Sequence, residues 1–166
     1  CFKNEGNFAS RDTYILDNSF PKLKEAFMIN INSYFKDIIC TSNKITPYIT
    51  QSWLNYTEED QHHHHHSHSN SILSGVFYVS ANKKHDSIKF YKPGSSAIQF
   101  KHSSYNLYNS TSWKFDVETN DLVLFPSGLE HSVEKKKGSN LRISLAFNVF
   151  IKGSIGKKDD LNELSL

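Results

Sequence analysis

The sequence predicts a mainly β fold, a sandwich or barrel, with one helix near its N-terminus. Two observations carry this expectation. Apolar residues recur at helical spacing over 21–39, and after Pro47 the chain becomes a succession of short strand-like runs broken by Gly, Asn, Ser and Lys. A length of 166 residues suits a single domain spanning 1–166 around one core, and twelve Phe and eight Tyr are enough to fill it.

The helix is expected over Pro21–Ile39, where Leu23, Phe27, Ile31, Tyr34, Phe35 and Ile38 form the apolar face. Asn18, Ser19 and a first-turn Pro21 supply its start signal. Strands are expected at Tyr48–Tyr56, Ser71–Ser80, Ser87–Lys92, Ala97–Lys101, Asp121–Phe125, Glu130–Glu134 and Asn140–Phe150, each rich in β-branched or aromatic residues.

Charge and cysteine content exclude several classes. The formal net charge is +2, with basic residues scattered except for Lys135, Lys136 and Lys137, so no nucleic-acid partner is expected. No run approaches the roughly 18 apolar residues of a membrane helix, and the N-terminus lacks a signal-peptide layout. Two cysteines, Cys1 and Cys40, make no disulfide framework, and a cytoplasmic location is expected. The chain opens at Cys1-Phe2-Lys3 without an initiator Met, as a fragment of a longer protein would.

Six of the nine histidines lie between His62 and His68. Such a tract reads as an inserted tag, a solvated metal-scavenging loop or a strand edge that contributes ligands. In an extended chain His66 and His68 share a face while Ser67 points away. The apolar run Ser71–Val79 directly behind them would pin both against a scaffold.

A second cluster follows. Asp121–Pro126 reads as a strand ending in a turn at Pro126-Ser127-Gly128, and His131 stands where the next strand begins. The polar turn Lys135–Gly138 then leads to a strand with Arg142, Ser144, Ala146 and Asn148 on one face. A four-residue hairpin loop there would set His131 opposite Arg142. Taken singly, His131 reads as a turn histidine and Arg142 as a surface ion-pair residue. Together with the His-x-His edge they suggest a metal beside a fixed cation. An Arg in an apolar strand requires an anion, and a dicarboxylic acid would supply one.

Four ordered stretches, Thr50–Asn55, His66–Tyr78, Leu124–Val133 and Arg142–Asn148, resemble the 2-oxoglutarate and Fe(II)-dependent oxygenases of marine bacteria and their phages, within the prolyl-hydroxylase-like superfamily. The resemblance runs from about Tyr14 onward. It implies a double-stranded β-helix (a jelly-roll, cupin-like fold), with a helical part at about 18–40, a β-helix core at about 48–151 and a tail at 152–166. It implies Fe(II) as the metal, with 2-oxoglutarate and O2 as co-substrates. His66, His68 and His131 would be the metal ligands, and Arg142 and Ser144 would receive the far carboxylate of the co-substrate. Hydroxylation of a small molecule or peptide, with release of succinate and CO2, is the activity it implies.

One position departs from the family pattern: His68 stands where an Asp or Glu ligand is expected. Asp60 or Glu59 would be the alternative carboxylate, and His63 or His64 the alternative ligands if the register slides. Gly128 replaces an aromatic residue common among relatives, which would widen the pocket mouth. Asn55 and Tyr78 are candidates for the co-substrate wall, although a Tyr in an apolar strand more often serves the core. Trp53 and Trp113 are expected to pack, and His85 and His102 to lie on the surface. A metal-binding cupin-like protein, or a three-His dioxygenase without 2-oxoglutarate, is the competing reading. No membrane partner is expected, and strand-rich edges with the C-terminal tail would support a homodimer.

Overall fold

A computed structural model describes residues 1–3, 5–94 and 98–166. In chain order the elements are β1 (Phe2–Lys3), β2 (Phe8–Ala9), α1 (Ile15–Asn18), α2 (Pro21–Ser33), β3 (Ile45–Thr57), β4 (His63–His66), β5 (Leu73–Ser80), β6 (Ser87–Tyr91), β7 (Ser112–Asp116), β8 (Leu122–Pro126), β9 (His131–Val133), β10 (Arg142–Ile155) and β11 (Leu164–Ser165). The larger sheet has the order β1-β2-β3-β10-β5-β8, with β11 added on β10. The smaller has the order β4-β9-β6-β7, and the strand pairs of both are antiparallel. From β3 onward the chain passes back and forth between the two sheets, which makes the fold a double-stranded β-helix.

Helix α2 covers the outer face of the larger sheet. Phe27, Ile31 and Phe35 are buried there, and Phe27 stacks on Phe147 of β10 at 5.2 Å and meets Phe77 of β5 at 5.3 Å. Gly75 makes this packing possible, because a Cβ at that position would lie 2.1 Å from Cζ of Phe147. The helix begins at Pro21, but neither Asn18 nor Ser19 caps it. Asn18 ends α1 and donates its side-chain amide to Asp12. Past Ser33 the helix loosens into a π-helical turn at Tyr34–Ile39. The wider turn rotates Ile38 away from the sheet and leaves it 68% exposed, against the expectation that it continues the apolar face.

Strand β10 is central to the site because it is covered on both sides. Leu145, Phe147 and Val149 point to the helix layer and are buried in its core, whereas Arg142, Ser144 and Ala146 point between the sheets. The segment between β9 and β10 is not a hairpin. β9 pairs with β4 and β6, while β10 pairs with β3 and β5, so the chain crosses from one sheet to the other. Lys136, expected in a polar turn, is 2% exposed and donates from Nζ to the Gly138 carbonyl (2.6 Å) and to Asn140 Oδ1 (2.9 Å). The crossover closes around this buried ammonium.

The strand expected at Ala97–Lys101 is not formed. Ala97 lies outside the described residues, and 98–101 is irregular, with Ile98 and Phe100 exposed. The edge of β6 is taken instead by β7, from Ser87 opposite Asp116 to Tyr91 opposite Ser112. Cys1 and Cys40 are both free and exposed. Among the described residues no helix is long and apolar enough to cross a membrane.

Candidate metal centre

Strand β4 lies along β9 so that His66 faces His131. The register shifts between His63 and His66, and this irregularity turns both side chains inward although they are three residues apart. His65 points outward, stacks on Tyr91 and pairs with Glu130 at 3.2 Å. His68 follows the strand and is fixed by its backbone N–H, which donates to the Ser127 carbonyl at 2.9 Å.

The ligand atoms of His66, His68 and His131 lie within 4.8 Å of one another. Each ring is held from behind through Nδ1. That of His66 donates to the His64 carbonyl (2.8 Å), and that of His131 to the Leu129 carbonyl (3.1 Å). The Nδ1 of His68 lies 2.7 Å from both Asn148 Oδ1 and Ser74 Oγ. Carbonyl oxygens only accept, so the proton of each of the first two rings sits on Nδ1 and a lone pair remains on Nε2. Behind His68 a chain of hydroxyls, Ser74 to Ser127 (2.8 Å) to Ser71 (2.7 Å), completes the support. The Nε2 atoms of His66 and His68 are 3.2 Å apart. That spacing lets both nitrogens turn toward one cation, and a carbonyl accepting from Nδ1 is how metal-binding histidines are oriented. The donor set therefore fits a metal ion.

Electrostatics agree. Burial, reinforced by the neighbouring imidazoles, pushes His68 and His131 down to about 4, and His66 is lowered chiefly by burial. All three are neutral near pH 7, the form that binds metal.

The alternatives are less well built. His63, His64 and His66 also bring ligand atoms within 4.8 Å. However, the His63 and His66 rings stack at 4.6 Å and 17°, so their in-plane lone pairs run nearly parallel. The rings of His66, His68 and His131 are inclined by 32°, 52° and 78° and can converge. Asp60 pairs with Lys135 at 3.0 Å on the surface, and Glu59 is exposed. No carboxylate joins a group of three such ligands among the described residues.

From the histidines a cavity runs to Arg142 and is lined also by Asn7, Asn55, His63, Tyr78 and Ser144. Arg142 is 3% exposed. Its Nη2 donates to Thr57 Oγ1 at 3.0 Å, its Nη1 lies 4.0 Å from Asp86 Oδ1, and its Nε has no partner. Asp86 is buried too, its Oδ2 held by the Asn82 N–H and by Asn140, while Oδ1 accepts no hydrogen bond. The Asn55 oxygen and both polar side-chain atoms of Asn7 lack partners as well. Each such atom costs about 1–3 kcal/mol if left alone, so the four on Asn7, Asn55 and Arg142, gathered in one cavity, mark the seat of a polar ligand. Tyr78 is buried in the smaller core, and burial raises its phenol, which stays protonated.

The residues expected as ligands or co-substrate contacts, His66, His68, His131, Arg142, Ser144, Asn55 and Tyr78, line this one cavity, whereas Asp60, Glu59, His64 and Gly128 do not. Trp53, expected only to pack, stands edge-on to His68 at 6.1 Å. Ser71, Ser74, Ser127 and Asn148 lie inside the motif stretches without an expected role in the site, and Asn7, Thr57 and Asp86 carry no sequence signal. His85 is exposed, and His102 is half-buried and packs on Tyr105.

Solved structures with this fold include an oxidoreductase of the 2OG-Fe(II) oxygenase family from Burkholderia pseudomallei, at 12% identity and a TM-score of 0.59 over 80% of this chain. This chain spans 56% of that protein's length. HygX from Streptomyces hygroscopicus, solved with nickel and 2-oxoglutarate bound, matches at 12% identity and a TM-score of 0.56, over 89% of this chain and 70% of its own. The non-haem α-ketoglutarate-dependent epimerase SnoN of nogalamycin biosynthesis matches at 10% identity and a TM-score of 0.60, over 87% of this chain and 63% of its own. No curated protein sequence matches. None of these likenesses bears on a marine or phage source. The model of the family described as "Putative 2OG-Fe(II) oxygenase" matches residues 51–148, from β3 through the histidine cluster to Asn148, and the chain belongs to that family.

Proposed function

We propose that this chain is a non-haem metalloenzyme with a three-histidine centre, in which Arg142 and Ser144 receive the carboxylate of an acidic co-substrate, 2-oxoglutarate. The observation that carries the reading is the incompletely paired, buried guanidinium of Arg142 in the same cavity as three converging Nε2 atoms. Charge supports a dianion. Three neutral imidazoles leave a divalent metal at its full charge, and Asp86 offsets Arg142, so the cavity carries a net +2 that a dicarboxylate balances.

In this reading Asn148, Ser74 and the carbonyls of His64 and Leu129 hold the ligand rings in register. Asp86 and Thr57 aim Arg142, which takes one carboxylate while Asn55 and Asn7 offer further polar contacts. Trp53 and Tyr78 exclude water from that end. With Fe(II), 2-oxoglutarate and O2 bound, the centre supplies oxidative decarboxylation to succinate and CO2, with one oxygen atom delivered into a substrate C–H bond.

A second reading is favoured by one specific observation, the imidazole of His68 where a carboxylate ligand is expected. It keeps the metal and drops 2-oxoglutarate, giving a three-His dioxygenase or a metal-binding cupin-like protein. Anaerobic Fe(II) titration with and without 2-oxoglutarate separates the two. The first reading expects a visible charge-transfer band that needs both components and is lost in Arg142→Met, with iron content unchanged. Iron-loaded protein that develops no band with 2-oxoglutarate excludes it and leaves the second.

A further inference from the structure

On the other side of His131 the two sheets enclose a different kind of space. The inner faces of β6, β7 and β8 and the turn after β8 line a cavity of about 710 Å³, with Phe90, Trp113, Phe115, Val123, Phe125 and Leu129 among its walls. It is large enough for a whole small molecule and is lined mainly by apolar and aromatic side chains.

Two rings divide it from the metal centre. Phe125 stands 4.7 Å from His131 and Phe90 6.0 Å, centroid to centroid, and the two rings meet each other at 5.0 Å. Leu129, also in the wall, supplies the carbonyl that orients His131. The charged groups at its edge do not build a site for a charged ligand. Asp121 accepts the Glu118 N–H at 2.8 Å, the Lys92 ammonium reaches the Tyr108 carbonyl at 3.4 Å, and Asp116 is exposed at the end of β7. Among the described residues the mouth is open, with Phe115 43% and Leu107 53% exposed. Arg142, Asn7 and Asn55 make the compartment on one side of His131 polar, whereas the one on the other side is apolar.

We propose that this cavity is the substrate site of the metal centre and takes a neutral molecule with an aromatic or compact hydrocarbon body. The role as substrate site rests on the function proposed above, whereas the ligand class follows from the wall itself. A charged peptide or sugar would leave its polar groups unpaired against Phe90, Phe125 and Val123.

Indole is a suitable probe, titrated into the full chain loaded with Zn(II) or with Mn(II) and observed by ligand NMR. Saturable binding is expected, with the indole signals broadened by Mn(II) but not by Zn(II). Phe115→Asp at the mouth and Val123→Trp within the cavity should each weaken binding by about tenfold or more, which is roughly 1.4 kcal/mol, with metal content retained. Indole that fails to saturate, binds equally well to both variants, or binds without broadening by Mn(II) overturns the proposal. A separate titration with 2-oxoglutarate keeps the outcomes distinct, since its failure removes the co-substrate reading while indole binding beside Mn(II) would still stand.

Discussion

The two faces of β10 show how one strand serves two purposes. Leu145, Phe147 and Val149 on one face are buried against α2 in a core with no polar function, whereas Arg142, Ser144 and Ala146 on the other line a cavity whose polar atoms are only partly paired. The first face maximises contact, and the second leaves hydrogen bonds unmade. The difference locates stability on the helix side and chemistry between the sheets, and the two should respond separately to substitution.

The largest effect on folding is expected from Phe147→Ala, which empties the space over Gly75 and beside Phe27. It should cost about 3–5 kcal/mol in denaturant unfolding. A loss below 1 kcal/mol would mean the helix layer is not the main source of stability. On the other face, His131→Ala should reduce metal affinity by more than the roughly 10–100-fold typical of losing a supporting residue, with the apo fold retained by circular dichroism. Asn148→Leu, which removes the acceptor behind His68, should weaken metal binding by about 10–100-fold in a competition titration against a chelator.

A pH dependence follows from the same face. His68 and His131 sit at about 4 and His63 at about 3 in the folded chain, against 6.5 unfolded, because burial first and neighbouring imidazoles second disfavour the charged form. Lowered values mean the unfolded chain takes up protons first. The stability these neutral rings permit is fully present above pH 6.5 and is lost as pH falls from there through about 4. Unfolding of the metal-free chain by urea at pH 7 and pH 5 measures this, and equal midpoints would contradict it. The smallest effect is expected from Asp60→Ala. Its pair with Lys135 is exposed, so stability should change by no more than about 0.5 kcal/mol, and metal affinity should not change at all. A large loss of metal would make Asp60 a ligand after all.

Much of the fold was legible locally. The strand composition of β3, β5 and β10, the apolar period of α2 as far as Phe35 and Pro21 at its first turn all express short-range geometry and appear in the structure, with strand ends moved and the last helical turns widened. Two expectations failed for reasons that are not local. Lys135–Gly138 has the composition of a hairpin turn, but the pairing of β9 with β4 and β6 pulls it into a crossover around Lys136. Ala97–Lys101 has strand composition, yet the edge of β6 accepts β7 instead.

The sequence by itself determined which side chains share a face. A period of two puts His66 with His68 and Arg142 with Ser144, and that much needs no tertiary information. Only the tertiary structure decided which faces meet. The sheets bring His66 of β4 onto His131 of β9 and turn Arg142 of β10 toward both, across a sequence separation that no local rule spans. It also selected His68 and His131 over His63 as partners of His66, because convergence depends on ring inclination and on the acceptor behind each Nδ1. Asn7 entered the cavity in the same way, and Asp86 came to lie behind Arg142, both as ordinary polar residues that burial alone made significant.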